Sequence, residues 1–214
     1  MDKIFAVYKP KGPTSYDVIR EIKNKLGKNI KIGHAGTLDP LASGILVIGL
    51  GDATKRLGDE VKKEKEYITK IKLGEKSTTD DGEGEKILNQ SCRIPKQSEI
   101  QNILEKFVGK INQIPPRYSA LKIGGQPAYK RVRRGEVLEM KSREVEIKNI
   151  EFISYEWPYL ELKVVTGPGV YIRALARDIG EELGTWGYMT ELERIRVGDF
   201  RKENAVTIEE INKP

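Results

Sequence analysis

The chain has 214 residues, a net charge of +6 and 33% charged residues, a balance that favours an anionic partner such as nucleic acid. A single cysteine excludes an internal disulfide, and one cysteine with one histidine excludes a Cys/His zinc site. The sequence shows no signal peptide and no apolar run of membrane-spanning length. We therefore expect a cytoplasmic protein that requires neither a membrane nor a metal.

The first third of the chain combines short strands with short helices. The predicted elements are strands at 4–8, 45–50 and 67–73, a helix capped by Thr14 or Ser15, and a short helix at 54–61. The first helix carries Val18, Ile19 and Ile22 on one face, which predicts that this face is buried. In the strand at 67–73, alternate residues starting with Tyr67 share one face.

The rest of the chain begins with a polar excursion and continues with alternating elements. Residues 74–86 lack apolar side chains and predict a loop with Asp80 and Asp81 on a solvated surface. Ser98-Glu99-Ile100-Gln101 predicts a capping box at a helix start. Further predicted elements are strands at 145–147 and 160–164 and a helix at 172–183 followed by Gly184. This order predicts one α+β domain around a central mixed or antiparallel sheet flanked by helices and loops.

One glycine-rich motif, Gly33–Gly44, carries the only histidine, His34, and the carboxylate Asp39. Its glycines permit positive φ and close approach of another molecule, and Pro40 keeps Asp39 out of the helical region. A polar loop beside an apolar strand is a common way to build a site. The alternative is an Asp-Pro turn in which the carboxylate caps a backbone N–H.

A second motif, residues 115–139, combines cations with tyrosines. Pro115-Pro116 predicts an extended approach, and residues 127–134 predict one or two helical turns that carry Lys130 and Arg131. Cations with interleaved aromatic rings suit an RNA backbone and exposed bases. The alternative is a solvated basic helix.

A third motif, Gly167–Gly180, leads from a glycine turn into a helix with Tyr171 and Arg173 in its first turn. Because the helix dipole disfavours a cation there, we expect Arg173 to have an anionic partner or to face solvent. Three further segments accompany these motifs: Ile4–Ser15 around Lys9, Lys65-Glu66-Tyr67, and Leu192–Phe200.

Taken in order, these blocks resemble the TruB family of tRNA pseudouridine synthases from residue 4 to about residue 200. GHAGTLDPLASGIL is similar to the family's active-site motif, PPRYSALK to its thumb-like RNA-binding segment, and VYIRALARDIG to its arginine motif. The resemblance implies a pseudouridine synthase fold over 1–206, with the thumb-like segment at 115–139. It also implies a tail at 207–214 and the absence of a C-terminal PUA domain.

The resemblance implies that uridine-55 in the T loop of tRNA is flipped out and isomerised to pseudouridine without a cofactor. Asp39 would be the essential carboxylate, either as a nucleophile or as a base that removes a ribose proton. Arg173 would pair with Asp39 and keep it ionised, and Tyr67 would stack on the uracil and help to remove its proton. The implied substrate-binding residues are His34, Tyr171, Leu192, Lys9, Tyr118, Lys122, Lys130 and Arg131.

Two other functions remain open at this stage. The first is a guide-dependent synthase of the dyskerin type, which shares the aspartate motif but acts in a complex. The second is a non-catalytic tRNA-binding protein or folding chaperone on the same scaffold, against which the presence of Asp39, Tyr67 and Arg173 argues. For Lys9, a structural or backbone-contact role is favoured over a chemical one. We expect a monomer that binds the T arm of tRNA.

Overall fold

The structure is a computed structural model that describes residues 2–211, and the chain divides into two compact units. The first unit is Met1–Ile68 with Leu192–Pro214, and the second is Thr69–Glu191. Strands β4 (Lys65–Leu73) and β12 (Gly187–Val197) contribute residues to both. Part of the predicted tail, 212–214, lies outside the described residues, so the boundary predicted at 206 stays a prediction.

The first unit is built around one central strand, β3 (Ser43–Leu50). Besides β3 and its parts of β4 and β12, it contains β1 (Lys3–Lys9), α1 (Ser15–Leu26), β2 (Ile32–Ala35), a 3-10 helix (Gly51–Arg56), α2 (Leu57–Lys62), β13 (Phe200–Arg201) and a second 3-10 helix (Lys202–Asn204). Both β1 and β2 pair with β3 in the antiparallel sense, whereas β12 pairs with it in parallel. The sheet of this unit is therefore mixed, as the sequence predicted.

Strand β3 is apolar and buried from Gly44 to Leu50 because both of its faces are covered. One face packs Leu46 and Ile48 against Val18 and Ile22 of α1. The other face packs Ile45 and Val47 into a second cluster with Ala6, Ala35 and Leu57. The strand that follows the glycine-rich motif is thus a rigid support.

Helix α1 forms as the sequence predicted, and Thr14 is its N-cap. Asp17 N donates to Thr14 Oγ1 at 3.1 Å, and Thr14 N donates to Asp17 Oδ2 at 2.9 Å, which completes a capping box. The helix predicted at 54–61 divides instead into the 3-10 helix and α2, which begins at Leu57.

In the second unit the strands follow the order β4-β11-β10-β7. The elements are β5 (Glu75–Ser77), β6 (Lys86–Leu88), α3 (Gln97–Lys106), β7 (Gly109–Gln113), β8 (Lys122–Ile123), β9 (Gln126–Pro127), α4 (Ala128–Val132), β10 (Arg143–Glu156), β11 (Tyr159–Thr166) and α5 (Ile172–Glu182). Strand β10 is antiparallel to both β11 and β7. Helix α5 buries Ile172, Leu175 and Ile179, which are the apolar positions that predicted it. The α+β class is confirmed.

Two local predictions in this unit were wrong. Helix α3 begins at Gln97, one residue before the predicted cap Ser98, and Glu99 Oε2 accepts from Lys96 N at 2.7 Å. A glutamate at the third helical position can bind the amide of whichever residue precedes the helix, so the acid fixes the start and the serine does not. The predicted loop 74–86 contains β5, which pairs with β6.

Candidate active site

Asp39 lies in the turn between β2 and β3, and the segment that begins α1 holds this turn in place. Ser15 Oγ accepts from Leu38 N at 2.9 Å and lies 3.0 Å from Leu38 O, to which it donates. Gly12 N donates to Pro40 O at 2.8 Å. The residues on both sides of Asp39 are therefore fixed by backbone hydrogen bonds, while the Asp39 residue itself is only half-buried.

Lys9, the last residue of β1, is fully buried and supports the same turn. Its Nζ donates to Ala42 O at 2.6 Å and to Pro10 O at 2.9 Å. Burial lowers the pKa of Lys9 to about 8, the negative charge of Asp39 opposes this lowering, and Arg194 adds to it. Lys9 thus makes structural contacts within the turn, and its predicted RNA contact stays a prediction.

Arg194 is a central residue of this site that the sequence analysis missed. It is 2% exposed, donates from Nε to Ile45 O at 2.8 Å, and donates from Nη2 to Gly36 O at 2.9 Å. Burial lowers the pKa of Arg194, and the hydrogen bond to Tyr67 and the charge of Asp39 oppose that effect. An arginine inside the alternating run LERIRV was the available signal, but its partners depend on the pairing of β12 with β3.

Tyr67 and His34 complete what we call the Asp39 cluster, formed by Lys9, His34, Asp39, Tyr67 and Arg194. Tyr67 is buried, which raises the pKa of its hydroxyl, and Arg194 opposes this rise. Burial and the charge of Arg194 lower the pKa of His34, so the imidazole is neutral at pH 7. The buried Nδ1 of His34 has no hydrogen-bond partner among residues 2–211. Leu192, also predicted here, is half-buried on β12.

In the second unit, Arg173 near the start of α5 has the anionic partner that the helix dipole led us to expect. Its Nη1 lies 3.0 Å from Asp81 Oδ2, and its Nη2 donates to Tyr118 O at 2.8 Å. Asp81 is 2% exposed, so the predicted solvated surface was wrong for this carboxylate. Its partner lies 92 residues away, and no local pattern reveals such a contact. The predicted pair of Arg173 with Asp39 joins residues of different units and stays a prediction.

The start of α5 is also fastened to β7 through an amide that the sequence analysis missed. Tyr171 N donates to Gln113 Oε1 at 2.8 Å, and Gln113 Nε2 donates to Tyr171 O at 3.2 Å. The side chain of Gln113 is almost fully buried, and Tyr171 provides the hydrogen-bond partners of both its carbonyl and its amino group. Tyr171, predicted to bind substrate, is half-buried and held through its backbone.

The basic segment, residues 115–139, has a small core formed by Ala128 and Leu138 together with the nearby Met140. The short strands β8 and β9 pair as a hairpin ahead of α4. Lys122 and Lys130 are exposed and available to an anionic ligand. Arg131 is instead bound to Glu136, with 2.7 Å between Nε and Oε2. Tyr118 is half-buried. The predicted helical turns thus form, over Ala128–Val132.

Neither a metal site nor a membrane span is found in the part of the chain that the structure describes. No group of three or more His, Cys, Asp or Glu side chains in residues 2–211 could hold a metal ion. No helix within these residues combines the length and apolar character needed to span a bilayer.

Comparison with known protein families shows which family the chain matches. Residues 23–172 match the N-terminal domain of the TruB family pseudouridylate synthases, and residues 173–213 match the tRNA pseudouridylate synthase B C-terminal domain. A protein from Clostridium tetani named tRNA pseudouridine synthase B is 43% identical, over 100% of this chain and 73% of its own length. One of the same name from Thermobifida fusca is 39% identical, over 98% of this chain and 74% of its own length.

Solved structures agree with these family matches. A chain of a Cbf5–Nop10–Gar1 complex superposes with a TM-score of 0.72 at 30% identity, over 96% of this chain. A chain of an H/ACA RNP bound to a substrate RNA containing 2′-deoxyuridine gives 0.71 at 27% identity, again over 96% of this chain. The present chain spans about half the length of these solved chains, 52% and 51%.

The fold and these similarities define the class of protein, a pseudouridine synthase, which is an isomerase that modifies RNA. Within that class, the chain belongs to the TruB family.

Proposed function

We propose that this chain converts uridine-55 in the T loop of tRNA to pseudouridine, with Asp39 as the essential carboxylate. The observation that carries the proposal is the fixed turn around Asp39, which places its carboxylate close to the charges of Lys9 and Arg194. The name shared by the relatives, tRNA pseudouridine synthase B, supports tRNA as the substrate.

The reaction is an isomerisation in which atoms and electrons balance without a co-reactant. The bond from ribose C1′ to N1 of uracil breaks, the base turns, and C1′ bonds to C5. The proton on C5 leaves, and N1 gains a proton. Asp39 acts either by attacking the sugar or by removing a ribose proton, and both roles require the ionised carboxylate. The neighbouring cations Lys9 and Arg194 favour that form.

Other site residues have supporting roles in this proposal. Tyr67 stacks on the uracil and helps to remove its C5 proton. The raised pKa of its buried hydroxyl supports the stacking role, because the ring stays neutral, and does not support proton removal. Leu192 lines the pocket of the Asp39 cluster, and Arg173 and Tyr171 keep the catalytic and substrate-binding roles that the family resemblance implies. His34 contacts the loop from which the base leaves, and its neutral ring, whose Nδ1 has no hydrogen-bond partner among residues 2–211, suits hydrogen bonding to RNA.

The basic segment supplies the binding of the T arm. Lys122 and Lys130 are exposed cations, and Tyr118 lies at the approach to them. Phosphate contacts of this kind make binding depend on salt, and flipping the target base costs a few kcal/mol that binding must offset. A monomeric, cytoplasmic enzyme is part of the same proposal.

The test maps pseudouridine by carbodiimide treatment and primer extension on an unmodified tRNA transcript. We expect one new stop at uridine-55, and none on a matched transcript with cytidine at that position. A stop at a different uridine would contradict the substrate. Tight binding without any stop would favour a tRNA-binding chaperone, and activity that requires an added guide RNA would favour a guide-dependent synthase.

A further inference from the structure

Helix α5 carries a second arginine, Arg177, one turn after Arg173, and it makes its own set of long-range contacts. Its Nη1 lies 2.8 Å from Asp80 Oδ2, and its Nη2 donates to Ile114 O at 2.9 Å. A third contact joins Arg177 Nη2 to Asp178 Oδ1 at 2.7 Å. The side chains of Arg177 and Asp80 are 20% and 15% exposed, so this ion pair is shielded from solvent.

The two arginines of α5 bind two consecutive carboxylates, Asp80 and Asp81. In an extended chain successive side chains point to opposite faces, so neighbouring residues would not both reach the same helix. Asp80 adopts a left-handed backbone with φ +61, which breaks this alternation. A non-glycine residue in this region requires support from its surroundings, and Arg177 supplies it.

The same two arginines bracket the approach to the basic segment. Arg177 binds Ile114 O, and Arg173 binds Tyr118 O, on either side of Pro115 and Pro116. Neither proline has an N–H with which to fasten the chain to its surroundings, although both are buried. Backbone carbonyl groups are therefore the hydrogen-bonding groups that fasten the chain at this point. The guanidinium groups of α5 bind two of them, Ile114 O and Tyr118 O.

We propose that Arg177, held by Asp80, is a positioning residue that fixes the approach to the basic segment for RNA binding. It acts through the backbone at Ile114 and touches no reacting atom. This inference rests on the proposed function, because it requires the basic segment to bind tRNA. Burial raises the pKa of Asp80, and the charges of Arg177 and Arg173 oppose that rise.

The test compares R177M, R177K and D80N with the wild-type protein on a T-arm stem–loop RNA. Methionine removes every donor at about the same length, lysine keeps the charge without the fork, and asparagine tolerates the left-handed backbone. The matched control is E182Q on the same helix, which breaks only the exposed pair with Lys106. The measurements are KM, kcat, the dissociation constant from fluorescence anisotropy, and its dependence on salt.

For R177M we expect KM and the dissociation constant to rise about tenfold while kcat stays within about twofold, because the segment that binds is displaced. The salt dependence of binding should become weaker, since phosphate contacts are lost. D80N and R177K should shift in the same direction by less, and E182Q should match the wild type. A merely structural role would lower the amount of folded protein without this split between KM and kcat.

Wild-type values of KM and salt dependence in R177M and D80N would overturn the inference, as would a fall in kcat at unchanged KM. If R177M does not fold, as judged by circular dichroism, D80N and R177K decide the question by the same criteria. Failure of the proposed function is distinguishable, because the wild-type protein would then form no pseudouridine. The anisotropy measurement would still show whether Arg177 affects RNA binding.

Discussion

At the scale of single residues, two buried cations, Lys9 and Arg194, interact electrostatically with the half-buried carboxylate Asp39. Lys9 and Arg194 are almost completely inaccessible, and each donates hydrogen bonds to backbone carbonyls of the turn or of β3. They support the turn mechanically and favour the ionised form of Asp39 at the same time. One set of side chains thus links the local structure of the turn to the electrostatic environment of Asp39.

The buried ammonium of Lys9 predicts how stability depends on pH. Its pKa is lowered from 10.5 to about 8 in the folded protein, so between these values the unfolded chain binds more protons. The free energy of unfolding should therefore rise with pH across this window, by up to about 1.4 kcal/mol per pH unit from this group. This contribution is present in full above pH 10.5 and is lost as the pH falls through about 8.

Urea unfolding from pH 7 to 10.5 checks this prediction, with Lys9→Met as the comparison. The variant should show a smaller slope than the wild type, but not a flat one, because Lys65 is also buried with a pKa of about 8. Parallel curves for the two proteins would contradict the prediction. If the variant does not fold, an NMR titration of the wild-type lysines must show two that titrate near pH 8, Lys9 and Lys65.

The sequence alone singled out residues whose chemical type stands in a distinctive motif. It missed residues that act through long-range contacts. Asp39 stands in a motif whose glycines and proline indicate a turn, and Tyr67 begins an alternating strand. Gln113 and Asp81 carry no local signal, and Arg194 carries only the alternating run around it, because the partners of all three lie far away along the chain. Buried polar residues require such partners, and only the fold supplies them.

At the scale of elements, the contact between β3 and β12 depends on the absence of one side chain. Gly44, at φ +110, pairs with Arg194, and a Cβ on Gly44 would lie 2.2 Å from Arg194 O. No rotation of a flexible side chain can relieve a clash with backbone. The close pairing of the two strands therefore requires glycine at this position.

The prediction compares Gly44→Ala with Gly12→Ala. Gly12 has a similar φ of +116 but nothing within 4 Å of an added Cβ, so it isolates the backbone strain, about 1–3 kcal/mol. Gly44→Ala adds the clash, and we expect a loss of more than about 4 kcal/mol in unfolding free energy, or no folded protein. Urea unfolding measures both. Equal losses of unfolding free energy in the two variants would contradict this prediction, because they would show that β3 and β12 can move apart without an added cost.

Periodic elements were predictable, and element ends were not. Helices α1 and α5 and strand β4 each bury the residues that the apolar spacing selected. The start of α3 and the division at Leu57 differ from the prediction, because capping groups and helix type change within a single turn. The hairpin of β5 and β6 was missed since its strands have three residues each and carry no apolar alternation.

At the scale of the whole molecule, the order of the motifs gave the family before any contact was known. The family matches cover residues 23–213, which confirms the resemblance and the fold class. Patterns along the chain could not show which groups each motif contacts in the folded protein. The basic segment is an example, since its cations were predicted while its attachment to α5 through Ile114 and Tyr118 required the structure.

The central claim is that Asp39 performs the chemistry while other residues bind the RNA. The most direct measurement compares wild type and Asp39→Asn for pseudouridine formation and tRNA affinity in the same preparation. Asparagine keeps the size of the side chain and removes its charge, so we expect product formation to fall at least about 10³-fold, with affinity within a few-fold. Pseudouridine formed by the variant at a wild-type rate would contradict the account.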